Sequence, residues 1–274
     1  MTTETRSEPP VDALERVLSA TDGADEQSRY LLNPTRSYVF ALASTDETAS
    51  LSRPLRVLGR RAVLRELRQD FLMGSRTANL VDAGAVSLRE AELDHETPAV
   101  VAPDGVHALV SVEDTAGSLP TNHPEFESDA RTACAELWET ADQYPLRTPA
   151  LSSLRRSMTD DLGQEFRDGF ETALEVAASL RDRTAFHEVR AALAVAAERE
   201  LLHYDVSRWG EDSGLASTAS FSRHKTDLEA EGVIETEKEP VQMGRPRQRL
   251  LLTDEYRAVV EEEGLAGLVS RVME

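Results

Sequence analysis

Apolar residues recur along the first half of the chain with several different spacings. "PVDALERVLSA" (10–20) places Val11, Leu14, Val17 and Leu18 three or four apart, the spacing of one helix face. "RSYVFALA" (36–43) is a short apolar run rich in aromatic and β-branched residues, and it predicts a strand. "PLRVLGRRAVLRELRQDFL" (54–72) predicts a strand, a turn at Gly59 and a helix that buries Val63, Leu64, Leu67 and Phe71. "AVSLREAEL" (85–93) alternates as a half-buried strand does. "PAVVAPDGVHALVSVED" (98–114) predicts a hairpin around Pro103-Asp104-Gly105. "PEFESDARTACAELWETAD" (124–142) predicts a closing helix. The order β-α-β-β-β-α predicts an α/β domain over residues 1–145, one sheet with helices packed on it. This is the candidate effector or dimerisation domain.

The second half has a different texture. "SLRRSMTDDLGQEFRDGFETALEVAASLRDR" (153–183) is polar and helical, so residues 146–184 are expected to form a helical connector. Residues 185–274 then run helix, short helix, helix, hairpin, helix. The first helix sets Phe186, Val189, Leu193 and Ala196 on one face. The second is expected to be capped by Asp205, to bury Val206 and Trp209, and to end at Gly214. Leu215 fills the angle that follows. Ser217 or Thr218 caps a third helix that buries Phe221 and Leu228 and stops at Gly232. Val233 and Ile234 begin a strand, and "RLLLT" (249–253) returns as its partner. The last helix carries Val259, Val260, Leu265, Leu268 and Val269, which would pack either on the same domain or on a second copy.

Three helices, a tight second turn and a hairpin resemble a winged helix-turn-helix. "SFSRHKTDLEAEGVI" (220–234) is similar to the recognition helix and first wing strand of archaeal and bacterial regulators. "GRPRQRLLLT" (244–253) is similar to their wing tip and second strand. Two departures bear on register: one residue more than usual between Leu215 and Phe221, and Lys225 at a place that is often apolar. A duplex would meet the third helix through Ser217, Thr218, Ser220, Ser222, Arg223, His224 and Thr226. Hydroxyls reach phosphates or base edges, and arginine pairs with guanine O6 and N7. Arg245, Arg247 and Arg249 in the wing suit phosphate oxygens and a narrow minor groove.

Charge qualifies this picture. The chain of 274 residues holds 50 acidic against 30 basic side chains, a net charge of −20. Lysine occurs only at Lys225 and Lys238, and isoleucine only at Ile234. Abundant carboxylates with almost no lysine resemble the proteins of salt-in halophilic archaea, where molar salt screens self-repulsion. Global charge then reports the solvent, and local charge reports the partner. Residues 151–274 hold 16 basic and 25 acidic side chains, so binding to DNA must rest on shape and direct hydrogen bonds more than on counterion release.

Other chemistry is sparse. The absence of lysine before Lys225 removes a phosphate-loop lysine, a Schiff-base lysine and a His-x-Lys pair from residues 1–224. No Gly-x-Ser-x-Gly occurs, and His95, His107, His123, His187, His203 and His224 lack ligand spacing. No catalytic residue, cofactor or metal site is expected, and the protein is not expected to be an enzyme. The single cysteine, Cys134, lies in a helical pattern and is expected to be a core residue. No apolar run spans a membrane, and the start, "MTTETRSEPP", lacks the pattern of a secretion signal, so a cytoplasmic location is expected. Arg60 and Arg61 follow a strand and a glycine at a helix N-terminus. There they would seat an anionic metabolite effector or pair with neighbouring acids.

An α/β domain before a C-terminal winged helix, in an acidic chain nearly free of lysine, resembles the haloarchaeal transcriptional regulator TbsP family, related in role to TrmB-type regulators. The more generic archaeal regulators place the winged helix first. The resemblance implies a sensor domain of phospholipase-D-like type without its catalytic pair, and control of gluconeogenic or glycolytic genes. The expected function is sequence-specific binding of double-stranded DNA by a homodimer. The alternative is an adaptor whose winged helix binds a second transcription regulator, which the six acids within 227–239 would permit.

Overall fold

The computed structural model describes residues 9–21, 28–44, 54–113, 115–121, 123–180, 185–240 and 246–273. Two compact units emerge: residues 1–69 with 73–147, and residues 70–72 with 148–274.

The first unit is α/β. Its helices are α1 (Pro10–Ala20), α2 (Arg36–Ser44), α3 (Arg61–Gln69), α4 (Phe71–Asp82) and α5 (Pro124–Thr140), the first two residues of α4 belonging to the second unit. Its strands are β1 (Arg29–Leu32), β2 (Leu55–Gly59), β3 (Val86–Glu90), β4 (Ala99–Ala102), β5 (Gly105–Val112), β6 (Thr115–Pro120) and the short β7 (Asp142–Gln143). They form one mixed sheet in the order β6-β5-β4-β1-β2-β3-β7. β1, β2 and β3 run parallel, and every other pairing is antiparallel. Ala102 pairs with Gly105, so Pro103 and Asp104 make the expected two-residue turn.

Alternation along β1 explains why both faces are covered. Arg29 and Leu31 point to one side, where the Arg29 guanidinium donates to the Leu18 carbonyl at the end of α1 at 3.0 Å. Tyr30 and Leu32 point to the other and join Leu58, Val101, Val106, Cys134 and Trp138 in one apolar cluster. Arg56 and Arg89 stack on Trp138 at 5.2 and 4.6 Å, sealing the sheet end of α5 with cation–π contacts. Burial raises the Cys134 thiol to about 11, which leaves little thiolate and makes this core group slow to react.

The expected strand over 36–43 is instead helix α2. Asn33-Pro34-Thr35 is a helix-start signal: the Thr35 carbonyl accepts from Val39 N at 3.1 Å, and Tyr38, Val39 and Leu42 then share a buried face. The strand this segment was expected to supply is β1, in "RYLL". The expected helix after Gly59 divides into α3 and α4. Leu64 and Leu67 are buried as expected, Val63 is half-buried, and Phe71 opens the second helix.

The second unit is helical apart from its hairpin. It contains α6 (Leu151–Ser157), a π-helical turn (Met158–Leu162), α7 (Gln164–Ser179), α8 (Glu188–Glu198), α9 (His203–Asp212), α10 (Thr218–Ala230), β8 (Ile234–Glu239), β9 (Arg247–Leu252) and α11 (Asp254–Val272). The described part of this polar stretch, 153–180, is bound into this unit's core. Phe166 and Phe170 are fully buried, and Phe166 packs edge-on against Trp209 at 5.4 Å. Trp209 Nε1 donates to Ser157 Oγ at 3.0 Å, and Arg155 grips Glu171 through two bonds of 2.6 and 2.9 Å. Val259, Leu268 and Val269 of α11 are buried within the same unit, against α7 and α8.

Candidate nucleic-acid interface

The site is built on how closely α9 and α10 approach. Gly210 faces the Phe221 ring so tightly that a Cβ there would lie 2.1 Å from Cε2. Gly214 then takes a φ of +75°, which turns the chain between the helices. Ala216 N returns to the Gly210 carbonyl at 3.1 Å, with Leu215 buried beneath. Ser217 caps α10, its Oγ accepting from Ser220 N at 3.2 Å.

Once Thr218 starts the helix, register follows. Phe221, Lys225 and Leu228 form the buried stripe at positions i, i+4 and i+7. Lys225 belongs to that stripe as a lysine can: its stem is buried, and Nζ reaches both Glu229 carboxylate oxygens at 2.9 Å. Thr236 on β8 donates to the same carboxylate. Ser222, Arg223 and Thr226 are exposed on the opposite face, next to Asp227. Thr218, Ser220 and His224 lie half-buried at its margins. The Thr226 hydroxyl donates back to the Ser222 carbonyl at 3.0 Å, leaving its methyl and oxygen lone pairs outward. Arg223 touches Ser220 and His224 only at 3.5 Å, so its guanidinium is held loosely.

The wing is a β8–β9 hairpin with Ile234 opposite Leu252 and Glu239 opposite Arg247. The segment between α8 and α9 adds a single bridge to it, unseen in the sequence pattern. Leu250 N donates to the Leu201 carbonyl at 2.9 Å, and Leu202 bridges to Arg249. This seam fixes the wing to the start of α9.

The wing arginines divide. Arg245, with residues 241–244, lies outside the described residues. Arg247 donates to Asp205 Oδ1 at 3.2 Å and stacks over Tyr204 at 4.3 Å. Arg249 bonds Glu239 at 2.5 Å and the Glu200 carbonyl at 2.6 Å. Both described guanidiniums therefore meet the protein's own acceptors, at 39% and 35% side-chain exposure. Asp205 was expected to cap α9. The helix starts earlier, at His203 with Leu202 before it, and the Asp205 carboxylate serves Arg247 instead. The Arg–Asp and Arg–Glu pairs join residues 42 and 10 apart, which no local pattern reveals.

Electrostatics beside α10 are set by two stacked imidazoles. His187, just before α8, packs on His224 with ring centres 4.1 Å apart. Burial lowers both below the ordinary imidazole value, and Arg190 and Arg223 push in the same direction, only partly opposed at His224 by Asp227. Burial also raises Glu188 above the usual carboxylate range. Arg190 ties this corner together, bonding Glu231 at 3.0 and 2.5 Å and the Val272 carbonyl at 3.2 Å.

In the first unit, Arg60 donates to the carbonyls of His95 and Leu93 at 2.9 and 3.4 Å and pairs with Glu96 at 3.5 Å. Arg61 lies 3.8 Å from Glu90. Among the described residues, no cluster of three or more His, Cys, Asp or Glu is arranged to hold a metal ion. Nor is any helix among them long and apolar enough to cross a membrane.

A capped, outward-facing helix set on a tight glycine turn and flanked by a two-stranded wing defines a winged helix-turn-helix protein. Comparison with known proteins narrows this. A family model described as "Transcriptional regulator TbsP-like, N-terminal" matches residues 6–149, and one described as "Transcriptional regulator TbsP-like, C-terminal HTH domain" matches residues 150–270. The chain belongs to the TbsP-like family of transcriptional regulators. No curated protein matches it. Among solved structures, TrmBL2, an archaeal chromatin protein with a novel mode of DNA binding, aligns at 12% identity with a TM-score of 0.34. That alignment covers 53% of this chain and 57% of TrmBL2.

Proposed function

We propose that this protein is a sequence-specific DNA-binding transcription regulator, acting as a homodimer in a salt-rich archaeal cytoplasm. The observation that carries the reading is the outward face of α10. Ser222, Arg223 and Thr226 are exposed there, while Phe221, Lys225 and Leu228 anchor the helix from behind. Such a face fits the major groove, where a bidentate Arg–guanine contact supplies about 1–3 kcal/mol of discrimination. Ser217, Thr218, Ser220 and His224 flank it as phosphate contacts. In the wing, Arg245 and Arg247 approach the backbone, Arg247 exchanging Asp205 for a phosphate oxygen. Arg249, paired with Glu239 at the wing's root, acts mainly by holding the hairpin in place.

Dimer symmetry would match half-sites about one helical turn apart. The N-terminal α/β domain serves sensing or dimerisation, and its phospholipase-D-like character and any anion seat at Arg60 and Arg61 remain part of this reading. So does control of central carbon metabolism. A second reading, an adaptor that docks another regulator, is favoured by the acids of β8: Glu235 and Glu237 are exposed, and Glu239 engages the wing's Arg249. A gel shift with the gene's own promoter region in molar KCl separates the two. Wild-type protein should retard the duplex and an Arg223→Ala/Thr226→Ala variant should not. No retardation by either would favour the adaptor, and equal retardation by both would remove Arg223 and Thr226 from the contact.

A further inference from the structure

The middle of α5 turns small side chains towards the sheet, one turn before Trp138, with Ala133 at the exposed edge. Ala130, Ala133 and Cys134 stand three and four apart, and Leu137 follows. Opposite them, β4 and β5 present Ala99 and Ala108 beside Val101 and Val106. Small residues on both surfaces leave them apart, and a cavity of about 590 Å3 lies between, wholly within the first unit. Protein interiors otherwise pack like organic crystals, and apolar cavities of roughly 300–1,000 Å3 are the usual size of small-molecule sites. Two large apolar side chains stand at its opening in water: Leu119, 58% exposed, and Phe126, 52% exposed.

Two carboxylates and one imidazole stand at the opening. Glu92, Asp94 and His95 line it from the loop after β3, and no lysine or arginine among the described residues does. Both carboxylates are exposed, and neither makes an ion pair or hydrogen bond among the described residues. The guanidinium that reaches this loop, Arg60 from the end of β2, is engaged by the Leu93 and His95 carbonyls and by Glu96. Arg131 on α5 is engaged by the Ala102 and Pro103 carbonyls. Thr97 and Thr121 add hydroxyl acceptors.

We infer that this cavity binds a small molecule with an apolar body and a cationic head, the body between α5 and the β4–β6 strands and the head against Glu92 and Asp94. An anion is the wrong occupant, since its charge would meet two unpaired carboxylates. The inference is independent of whether the winged helix binds DNA.

The test uses the full chain in molar KCl with octylammonium, octanol and octanoate as probes, which share a tail and differ in head charge. Octylammonium should raise the melting temperature saturably and octanoate should not. Glu92→Gln/Asp94→Asn should reduce the preference for the amine over the alcohol by about fivefold, the scale of an exposed ion pair. Ala133→Phe should abolish the shift by filling the space. Because Cys134 is the single cysteine and lines the cavity, its slow alkylation gives a second readout that does not require a folded Ala133→Phe variant. Octylammonium should slow that alkylation. Equal or stronger stabilisation by octanoate, a shift that survives Ala133→Phe in folded protein, or alkylation indifferent to the amine would overturn the inference.

Discussion

At Gly210 a single hydrogen atom decides how near two helices can come. A methyl group there meets the Phe221 ring edge, and Phe221 is itself fully buried under α10. Overpacking of this kind costs about 1–3 kcal/mol, against the roughly 1 kcal/mol that alanine gains in a helix interior. Gly210→Ala should therefore lower the melting temperature modestly and weaken DNA binding much more, because α10 must shift to make room. Parallel melting and gel-shift curves would show it. An unchanged affinity would mean that the α9–α10 spacing is unimportant to the site. The wing arginines give the converse case. Exposed ion pairs contribute about 0–1 kcal/mol, so Arg247→Ala should leave the denaturation midpoint nearly unchanged while reducing affinity for DNA. A large loss of stability with unchanged affinity would assign Arg247 to folding alone.

Elements show what was legible in the sequence and what was not. The third helix could be read because its cap, buried stripe and terminal glycine lie within sixteen residues, and each is a local signal. Its register could not be fixed until Lys225 proved to be a stripe residue: a lysine signals solvent unless a carboxylate one turn on, here Glu229, receives its ammonium. Segment 36–43 deceived because its apolar residues satisfy both strand and helix spacing, and the Asn-Pro-Thr before it carried the deciding information. The Leu202–Arg249 bridge, the Arg247–Asp205 pair and the cavity under α5 depend on contacts distant in sequence, so no window of residues contains them.

One element-scale consequence concerns the junction of α8 and α10. His187 and His224 are both held below about 6.5, so the unfolded chain takes up their protons first as pH falls. Stability associated with the neutral pair is full above that value and is lost as pH drops through the lower folded values. Thermal melts from about pH 7 to about pH 5 should show falling stability, and His224→Gln should flatten the fall. The nearby Glu188 works in the opposite sense, since its raised value favours proton uptake by the folded state, which is why the variant comparison is needed. An identical pH profile in the variant would remove the imidazole pair as the cause.

Across the whole molecule, a net charge of −20 makes the folded state self-repelling in dilute buffer. At about 1 M salt the screening length falls to about 3 Å, and that repulsion disappears. The midpoint of unfolding should therefore rise steadily from about 0.1 M to about 1 M KCl, with much of the gain complete before Hofmeister effects dominate. A flat or falling profile would contradict the proposed salt-rich setting. The same screening weakens phosphate contacts, so recognition has to come from hydrogen bonds made at short range. The proposed function then has most of the specificity on α10 and little on the wing, whose described arginines are already partnered.

Selection of bound duplexes from a randomised pool, wild type against Arg223→Gln at molar KCl, tests that placement most directly. The account predicts a defined motif for the wild type and, for the variant, a change confined to one base position per half-site, from guanine towards adenine. Identical motifs from both proteins, or no enrichment with the wild type, would contradict it.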